Sequence, residues 1–153
     1  MIRTGGCQCG AVRFRVEGEL GRASLCHCRM CQKAFAAPYA ALVTVGWEQL
    51  VWTRGPRSRF QSSNKVHRGF CNACGTPLTF EWDAAKIDVA VCAFDDAADI
   101  APQVQLRAGS ALPWTMGTAG LPIADGPQVA AHDASIVSYQ HPDHDTPRWP
   151  SAG

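Results

Sequence analysis

Eight cysteines constrain this chain of 153 residues more than any other feature of its sequence. Seven of them fall into three short clusters with the patterns Cys-x-Cys, Cys-x-Cys-x-x-Cys and Cys-x-x-Cys. A small secreted domain would use so many cysteines for disulfides, but cysteines one residue apart bridge each other poorly, and a chain of this length does not need such bridges. Thiolates clustered at these spacings are typical of zinc sites. We therefore expect metal binding, with disulfides as the alternative.

The seven clustered cysteines divide into a site of four and a site of three. A structural zinc takes four tetrahedral ligands, whereas a catalytic zinc keeps three protein ligands and one open position. The middle cluster can chelate one ion without closing a long loop, and its ligands are Cys26, Cys28 and Cys31. The two remaining pairs then form a structural site, made of Cys7, Cys9, Cys71 and Cys74. Spacing also allows a division in which the first four cysteines of the chain share one ion.

The composition is that of a chain that folds into one domain. Hydrophobic residues make up 46% of the sequence and charged residues 18%, a balance far from that of disordered chains. The N-terminus lacks the apolar stretch of a secretory signal, and the longest apolar run is too short to cross a bilayer. We expect a cytoplasmic protein that is not anchored in a membrane. Its net charge of +1 provides no overall attraction toward nucleic acid.

Alternating apolar and polar residues predict a mainly antiparallel β architecture, with strands at about 11–16, 39–45, 49–53, 59–61, 77–82, 87–91 and 104–107. One short helix is predicted from about Cys28 to Ala37, just before Pro38. Gly10 and Gly75 follow the second cysteine of the outer pairs, where a tight turn around a metal often needs a positive φ angle. Residues 1–131 are expected to form the zinc-binding β domain. Residues 132–153, rich in Pro, His and Asp, are expected to be a strap or a poorly ordered tail.

A zinc ion on three thiolates has a distinctive chemistry. Its formal charge of −1 makes it a weak Lewis acid toward water, which disfavours hydrolysis. The same ion binds an incoming thiol well, because a coordinating thiol loses its proton and soft sulfur suits zinc. The expected substrates are therefore a thiol and an electrophile such as an aldehyde. Arg29 and Lys33 flank the middle cluster and are predicted to steer an anionic thiol toward it. The alternative is a non-enzymatic binding module in which both metals are structural.

Three segments of the sequence resemble a known protein family. They are Gly-Gly-Cys-Gln-Cys-Gly-Ala-Val at 5–12, Cys-His-Cys-Arg-Met-Cys-Gln-Lys at 26–33 and Arg-Gly-Phe-Cys-Asn-Ala-Cys-Gly-Thr-Pro-Leu at 68–78. They are similar to the glutathione-dependent formaldehyde-activating enzyme family, which also includes centromere protein V. The resemblance implies an all-β, zinc-containing fold of the β-tent type. It also implies a structural zinc on Cys7, Cys9, Cys71 and Cys74, and a second zinc on Cys26, Cys28 and Cys31, near which glutathione binds.

The activity that the resemblance implies is of the carbon–sulfur lyase type, joining glutathione to formaldehyde as S-hydroxymethylglutathione. The sequence departs from the family pattern at Phe35, where many members have a smaller residue, and at Gln105, where a histidine is common. Cys92 and Trp114 are expected to be buried in the core, whereas His27 is expected beside the ligands or on the surface. The basic stretch 54–68 is expected to be a solvated hairpin or a source of cations for glutathione carboxylates.

Overall fold

Ten short strands dominate the computed structural model, which describes residues 1–148. The strands are β1 (Ile2–Gly6), β2 (Arg13–Glu17), β3 (Ala23–Cys26), β4 (Ala40–Gly46), β5 (Leu50–Arg54), β6 (Ser58–Ser63), β7 (Val66–Phe70), β8 (Pro77–Glu81), β9 (Lys86–Ala90) and β10 (Val104–Leu106). The two α-helices are α1 (Arg29–Phe35) and α2 (Pro127–Ser135). Short 3-10 helices cover Trp47–Gln49, Val91–Ala93, Ala108–Ser110 and Pro113–Gly120.

The strands form two sheets, one of three strands in the order β1-β2-β5 and one of seven in the order β10-β3-β4-β9-β8-β7-β6. The pairing is antiparallel except between β10 and β3, which run parallel. The predicted β class is therefore confirmed. Strands β1, β3 and β7 and helix α2 were not predicted. The sequence of β1 gives little indication of a strand, because it ends in two glycines. Glycine is required at position 5, since a side chain there would collide with the carbonyl oxygen of Ala93.

One hydrophobic core joins the two sheets. Phe14 of β2 is fully buried and packs edge-on against Trp52 and Phe94. The larger sheet contributes fully buried apolar side chains from β8 and β9, including Leu78 and Ile87. Cys7 and Cys71 belong to the same cluster of buried residues. Metal ligands at these two positions would therefore be anchored in the core of the protein.

Arg13 and Arg15 are two residues apart on β2, yet their environments differ. The alternation of β2 predicts that both face solvent, and Arg15 does so, pairing with the exposed Glu17. Arg13 is 2% exposed and forms salt bridges with Asp95 and Asp145 at 2.6 and 2.8 Å. Its carboxylate partners lie 82 and 132 positions further along the chain. A residue on the predicted polar face thus connects β2 to the C-terminal part of the protein.

Residues 141–146 lie across the first cysteine turn and β2. The backbone N–H of His141 donates to the carbonyl oxygen of Gln8, between the first two cysteines, at 2.7 Å. Arg54 of β5 donates to both the carbonyl and the hydroxyl oxygen of Thr146. These contacts hold the chain beside Cys7 and Cys9 after the long exposed segment that precedes it. Residues 149–153 of the expected tail lie outside the described residues.

The segment 113–140 contributes no buried side chain. Trp114 is 59% exposed in the 3-10 helix Pro113–Gly120, so its predicted place in the core is wrong. The prediction rested on the size of the ring alone, whereas burial requires neighbours, and no residue of this segment is buried. No helix among residues 1–148 is long and apolar enough to span a membrane.

Candidate metal centres

The four outer cysteines meet at the edge of the core. The Sγ atoms of Cys7, Cys9, Cys71 and Cys74 all lie within 4.8 Å of one another. Those of Cys7 and Cys9 are 3.6 Å apart, and those of Cys9 and Cys71 are 3.9 Å apart. A tetrahedral zinc with Zn–S bonds of about 2.3 Å separates its sulfur atoms by about 3.8 Å. The observed distances therefore fit a metal site with four sulfur ligands, which we call the four-cysteine cluster.

Two similar turns present these cysteines. In the first turn the N–H of Gly10 donates to the carbonyl oxygen of Cys7, and in the second that of Gly75 donates to Cys71. Gly10 and Gly75 have φ angles of 74° and 81°, as predicted from their positions after the second cysteine of each pair. No atom lies within 4 Å of a Cβ built on Gly75, so the backbone angle, rather than lack of space, favours glycine there.

The turns also supply hydrogen bonds to sulfur. Burial raises the pKa of Cys7 to about 12, although the N–H of Val12 donates to its Sγ at 3.2 Å. Burial also raises the pKa of Cys74, but hydrogen bonds from the side chain and backbone of Thr76 and from Cys9 outweigh it and lower the pKa to about 6. The Sγ of Cys74 and the hydroxyl oxygen of Thr76 are 3.1 Å apart. These donors suit sulfur ligands that carry negative charge.

The middle cluster forms where a strand leads into a helix, and we call Cys26, Cys28 and Cys31 the triad. Their Sγ atoms lie within 4.8 Å of one another. Cys26 ends β3, Cys28 is the N-cap of α1, and Cys31 lies in the first turn of that helix. The N–H of Cys31 donates to the Sγ of Cys28 at 3.4 Å, which is an N-cap hydrogen bond at the start of α1. The structure thus groups the cysteines as four plus three, and the first four do not share one site.

An open cavity of about 520 Å³ lies on the triad, and all three cysteines line it. The other lining residues comprise two serines, two arginines, one glutamine and four apolar side chains, which are Ser62, Ser63, Arg68, Arg107, Gln105, Met30, Val66, Phe80 and Leu106. No carboxylate of the described chain is among them. By contrast, the cavity that Cys7 of the four-cysteine cluster lines is about 130 Å³. The triad therefore has the larger space for a ligand, and its surroundings favour an anionic one.

The cations that line the cavity are Arg68, which ends the basic stretch 54–68, and Arg107, rather than the two predicted beside the triad. Arg29 and Lys33 lie exposed on α1 and are absent from the cavity lining, so their role in thiol binding stays a prediction. Arg68 was not singled out in the sequence, although it lies three residues before Cys71. It is 3% exposed, and its Nη2 donates to the Sγ of Cys31 at 3.4 Å. Burial raises the pKa of Cys31 to about 12, and the charge of Arg68 opposes that rise.

Much of the basic stretch 54–68 is neutralised within the protein. Arg57 and Arg59 both pair with the buried carboxylate of Glu81, at 2.7 and 2.8 Å. The pKa of Glu81 is raised by burial, but the hydrogen bond and charge of Arg57, with help from Thr79 and Arg59, bring it below its usual value. These two arginines therefore hold β6 to β8, and neither lines the cavity on the triad.

Cys92 differs from its predicted environment, and of the two places predicted for His27 only the surface is excluded. Cys92 is exposed, so its predicted burial is wrong. Strand β9 ends at Ala90, and the 3-10 helix Val91–Ala93 turns Cys92 outward while its two neighbours are buried. His27 is 3% exposed, its Nε2 lies 2.9 Å from the side-chain oxygen of Gln105, and it belongs to neither cysteine cluster.

The fold and the two sites define a small β protein with two cysteine clusters that could hold metal ions. The family model for glutathione-dependent formaldehyde-activating enzymes matches residues 2–110. The chain belongs to this family, which confirms the resemblance seen in its three cysteine segments. Membership supports glutathione-dependent formaldehyde activation as the class of function.

A crystal structure of a Rhodobacter sphaeroides protein has a similar fold, with a TM-score of 0.55 and 22% sequence identity. The match covers 67% of this chain and 98% of the other chain. A search of curated proteins found no match.

Proposed function

We propose that the protein is a zinc-dependent enzyme of the carbon–sulfur lyase type, which adds a glutathione-like thiol to a small aldehyde such as formaldehyde and catalyses the reverse reaction. The observation that carries this proposal is the cavity of about 520 Å³ lined by all three sulfurs of the triad. A cluster that offers three thiolates to one face of an open cavity has a place for a fourth ligand. The four-cysteine cluster already supplies four sulfurs and is proposed to be structural.

The proposed cofactors are two zinc ions, one in each cluster. Within the triad, Cys26, Cys28 and Cys31 would hold the ion, which supplies the chemistry of keeping a substrate thiol in its thiolate form at neutral pH. Arg68 and Arg107 give the cavity a positive potential that favours an anionic thiol such as glutathione. The thiols of both clusters need a reducing compartment, so we propose a cytoplasmic location.

The proposed reaction balances without an oxidant or a reductant. The S–H bond of the thiol breaks, a C–S bond forms to the aldehyde carbon as its C=O double bond becomes single, and the proton ends on the former carbonyl oxygen. Among residues 1–148, those that line the cavity include no carboxylate or histidine to act as a general base. Activation of the thiol in this arrangement therefore depends on its loss of a proton at the triad, and the cavity residues bind and orient it.

The proposal is tested by the rate at which formaldehyde and glutathione exchange with their adduct. With carbon-13 formaldehyde, exchange NMR should show that the rate of adduct formation and breakdown rises in proportion to the concentration of zinc-loaded protein. The equilibrium ratio of free formaldehyde to adduct should stay unchanged. Protein stripped of zinc and kept reduced is the control, and it should leave the rate at that of buffer. If fully zinc-loaded protein also leaves the rate at that of buffer, this function is wrong.

A further inference from the structure

Arg68 is a buried cation placed against the triad. It lies in β7, between Phe60 of β6 and Phe80 of β8 in the sheet register. Its Nε donates to the hydroxyl oxygen of Ser62 at 2.9 Å, and its guanidinium group stacks over the ring of Phe80 at 4.8 Å from the ring centroid. Its Nη2 donates to the Sγ of Cys31 at 3.4 Å. The side chain is thus held by contacts to β6 and β8 and points one donor at a triad sulfur.

The charge of Arg68 has no carboxylate partner within residues 1–148. Its Nη1 is buried and donates no hydrogen bond within this part of the chain. The other strongly buried arginine, Arg13, differs because it pairs with Asp95 and Asp145. Burial of a charge is costly unless an opposite charge compensates it. The contact with Cys31 identifies the triad as the available source of negative charge.

The charges of the two groups match when the triad holds a divalent metal. Three thiolates and one divalent ion have a net charge of −1, and one guanidinium group brings the assembly to zero. A further thiolate then approaches a neutral assembly, whereas it would be repelled by an anionic one. The charge of Arg68 should therefore strengthen binding of the metal and allow an anionic fourth ligand to bind.

We propose that Arg68 is a positioning residue of the triad, which acts as the counter-ion of its metal–thiolate cluster and thereby allows a fourth, anionic sulfur ligand to bind. This inference rests on the proposed function, since it requires a metal in the triad. It assigns to Arg68 a role through Cys31 and the metal rather than contact with the reacting atoms. The fixed position on β7 suits this role, because a sheet places a charge more precisely than a loop does.

The test compares Arg68→Gln with Arg107→Gln. Both variants remove one positive charge from the same cavity, but only the first removes a donor to a triad sulfur. Zinc affinity is measured by competition with a chromogenic chelator, with Cys28→Ser protein used to identify the binding phase that belongs to the triad. We expect Arg68→Gln to weaken that phase by about 10- to 100-fold, the usual effect of removing a group that supports a metal ligand. Arg107 is exposed, so its loss should change the same phase by less than about threefold.

A second measurement follows the fourth ligand. In cobalt-substituted protein, the glutathione concentration that half-completes the change in the thiolate-to-metal absorption band should rise by about tenfold in Arg68→Gln, even when the metal site is saturated. Arg68→Lys keeps the charge but lacks the guanidinium fork that contacts Ser62 and Cys31 through separate nitrogens, so its triad should also bind zinc more weakly than the wild type.

The outcomes separate this inference from the function on which it rests. If the wild-type triad binds zinc and Arg68→Gln binds it equally well, the role of Arg68 is wrong and the proposed function stands. If the wild-type triad binds no metal, both are wrong. Should Arg68→Gln fail to fold, Arg68→Lys decides, because zinc and glutathione affinities equal to those of the wild type in that variant would contradict a positioning role.

Discussion

Cys74→Ser is expected to lower the free energy of unfolding by about 3–5 kcal/mol in the presence of zinc. The four-cysteine cluster joins two turns that are distant in the sequence. Cys9 in the first turn and Cys71 in the second are 62 positions apart. Cys7 and Cys71 are also part of the hydrophobic core. Metal binding at such a site contributes directly to folding, because the unfolded chain has no preformed site. Denaturant titration of the reduced, zinc-loaded proteins measures the loss.

The matched control for this substitution is Cys92→Ser. Cys92 is exposed and lies outside both clusters, so the same chemical change there should alter the free energy of unfolding by less than about 0.5 kcal/mol. A Cys74→Ser protein as stable as the Cys92→Ser protein would show that the four-cysteine cluster does not hold the fold together.

Cys28→Ser is expected to abolish thiol binding at the triad while costing only about 1 kcal/mol of stability. The triad draws its ligands from β3 and the start of α1, which are adjacent in the sequence, so its metal joins few distant parts of the chain. Cys28 is also the N-cap of α1, and serine is a preferred residue at that position, so the helix start is preserved. Glutathione titration of the cobalt-substituted protein measures the loss of binding.

The order of the two effects decides which cluster is structural. Thermal melts of Cys28→Ser and Cys74→Ser under the same zinc concentration should show the second variant unfolding at the lower temperature. If Cys28→Ser is the less stable of the two, the triad holds the fold together. The non-enzymatic interpretation, with both metals structural, would then be favoured.

The cysteine spacings and the β class could be predicted from the sequence because both are local properties. A Cys-x-Cys-x-x-Cys segment can close on one ion wherever it lies in the fold, and the apolar alternation of β2, β4 and β8 is visible in a few residues. The helix was predicted nearly where it forms, but it ends at Phe35. Ala36 takes a left-handed conformation with a φ angle of 48°, two residues before Pro38. Nothing in the identity of alanine signals such a cap.

The environments of Arg13, Arg68 and Cys92 could not be predicted, because each depends on distant residues or on where a strand stops. Arg13 is on the polar side of an alternating strand, and its burial follows from Asp95 and Asp145 far along the chain. Arg68 is likewise an ordinary arginine in a hairpin until the fold brings Cys31, 37 positions away, beside it. Tertiary contacts of this kind override local patterns, and here they determine the surroundings of the candidate site.

A crystal structure of the zinc-loaded protein with glutathione, with data collected at the zinc absorption edge, would show directly which atoms surround each metal. We expect two anomalous peaks per chain, one surrounded by the sulfurs of the four-cysteine cluster. The other should be surrounded by the three triad sulfurs and, at about 2.3 Å, by the sulfur of glutathione. A fourth triad ligand supplied by a protein side chain, with glutathione absent from the cavity, would show that the triad does not bind a substrate thiol.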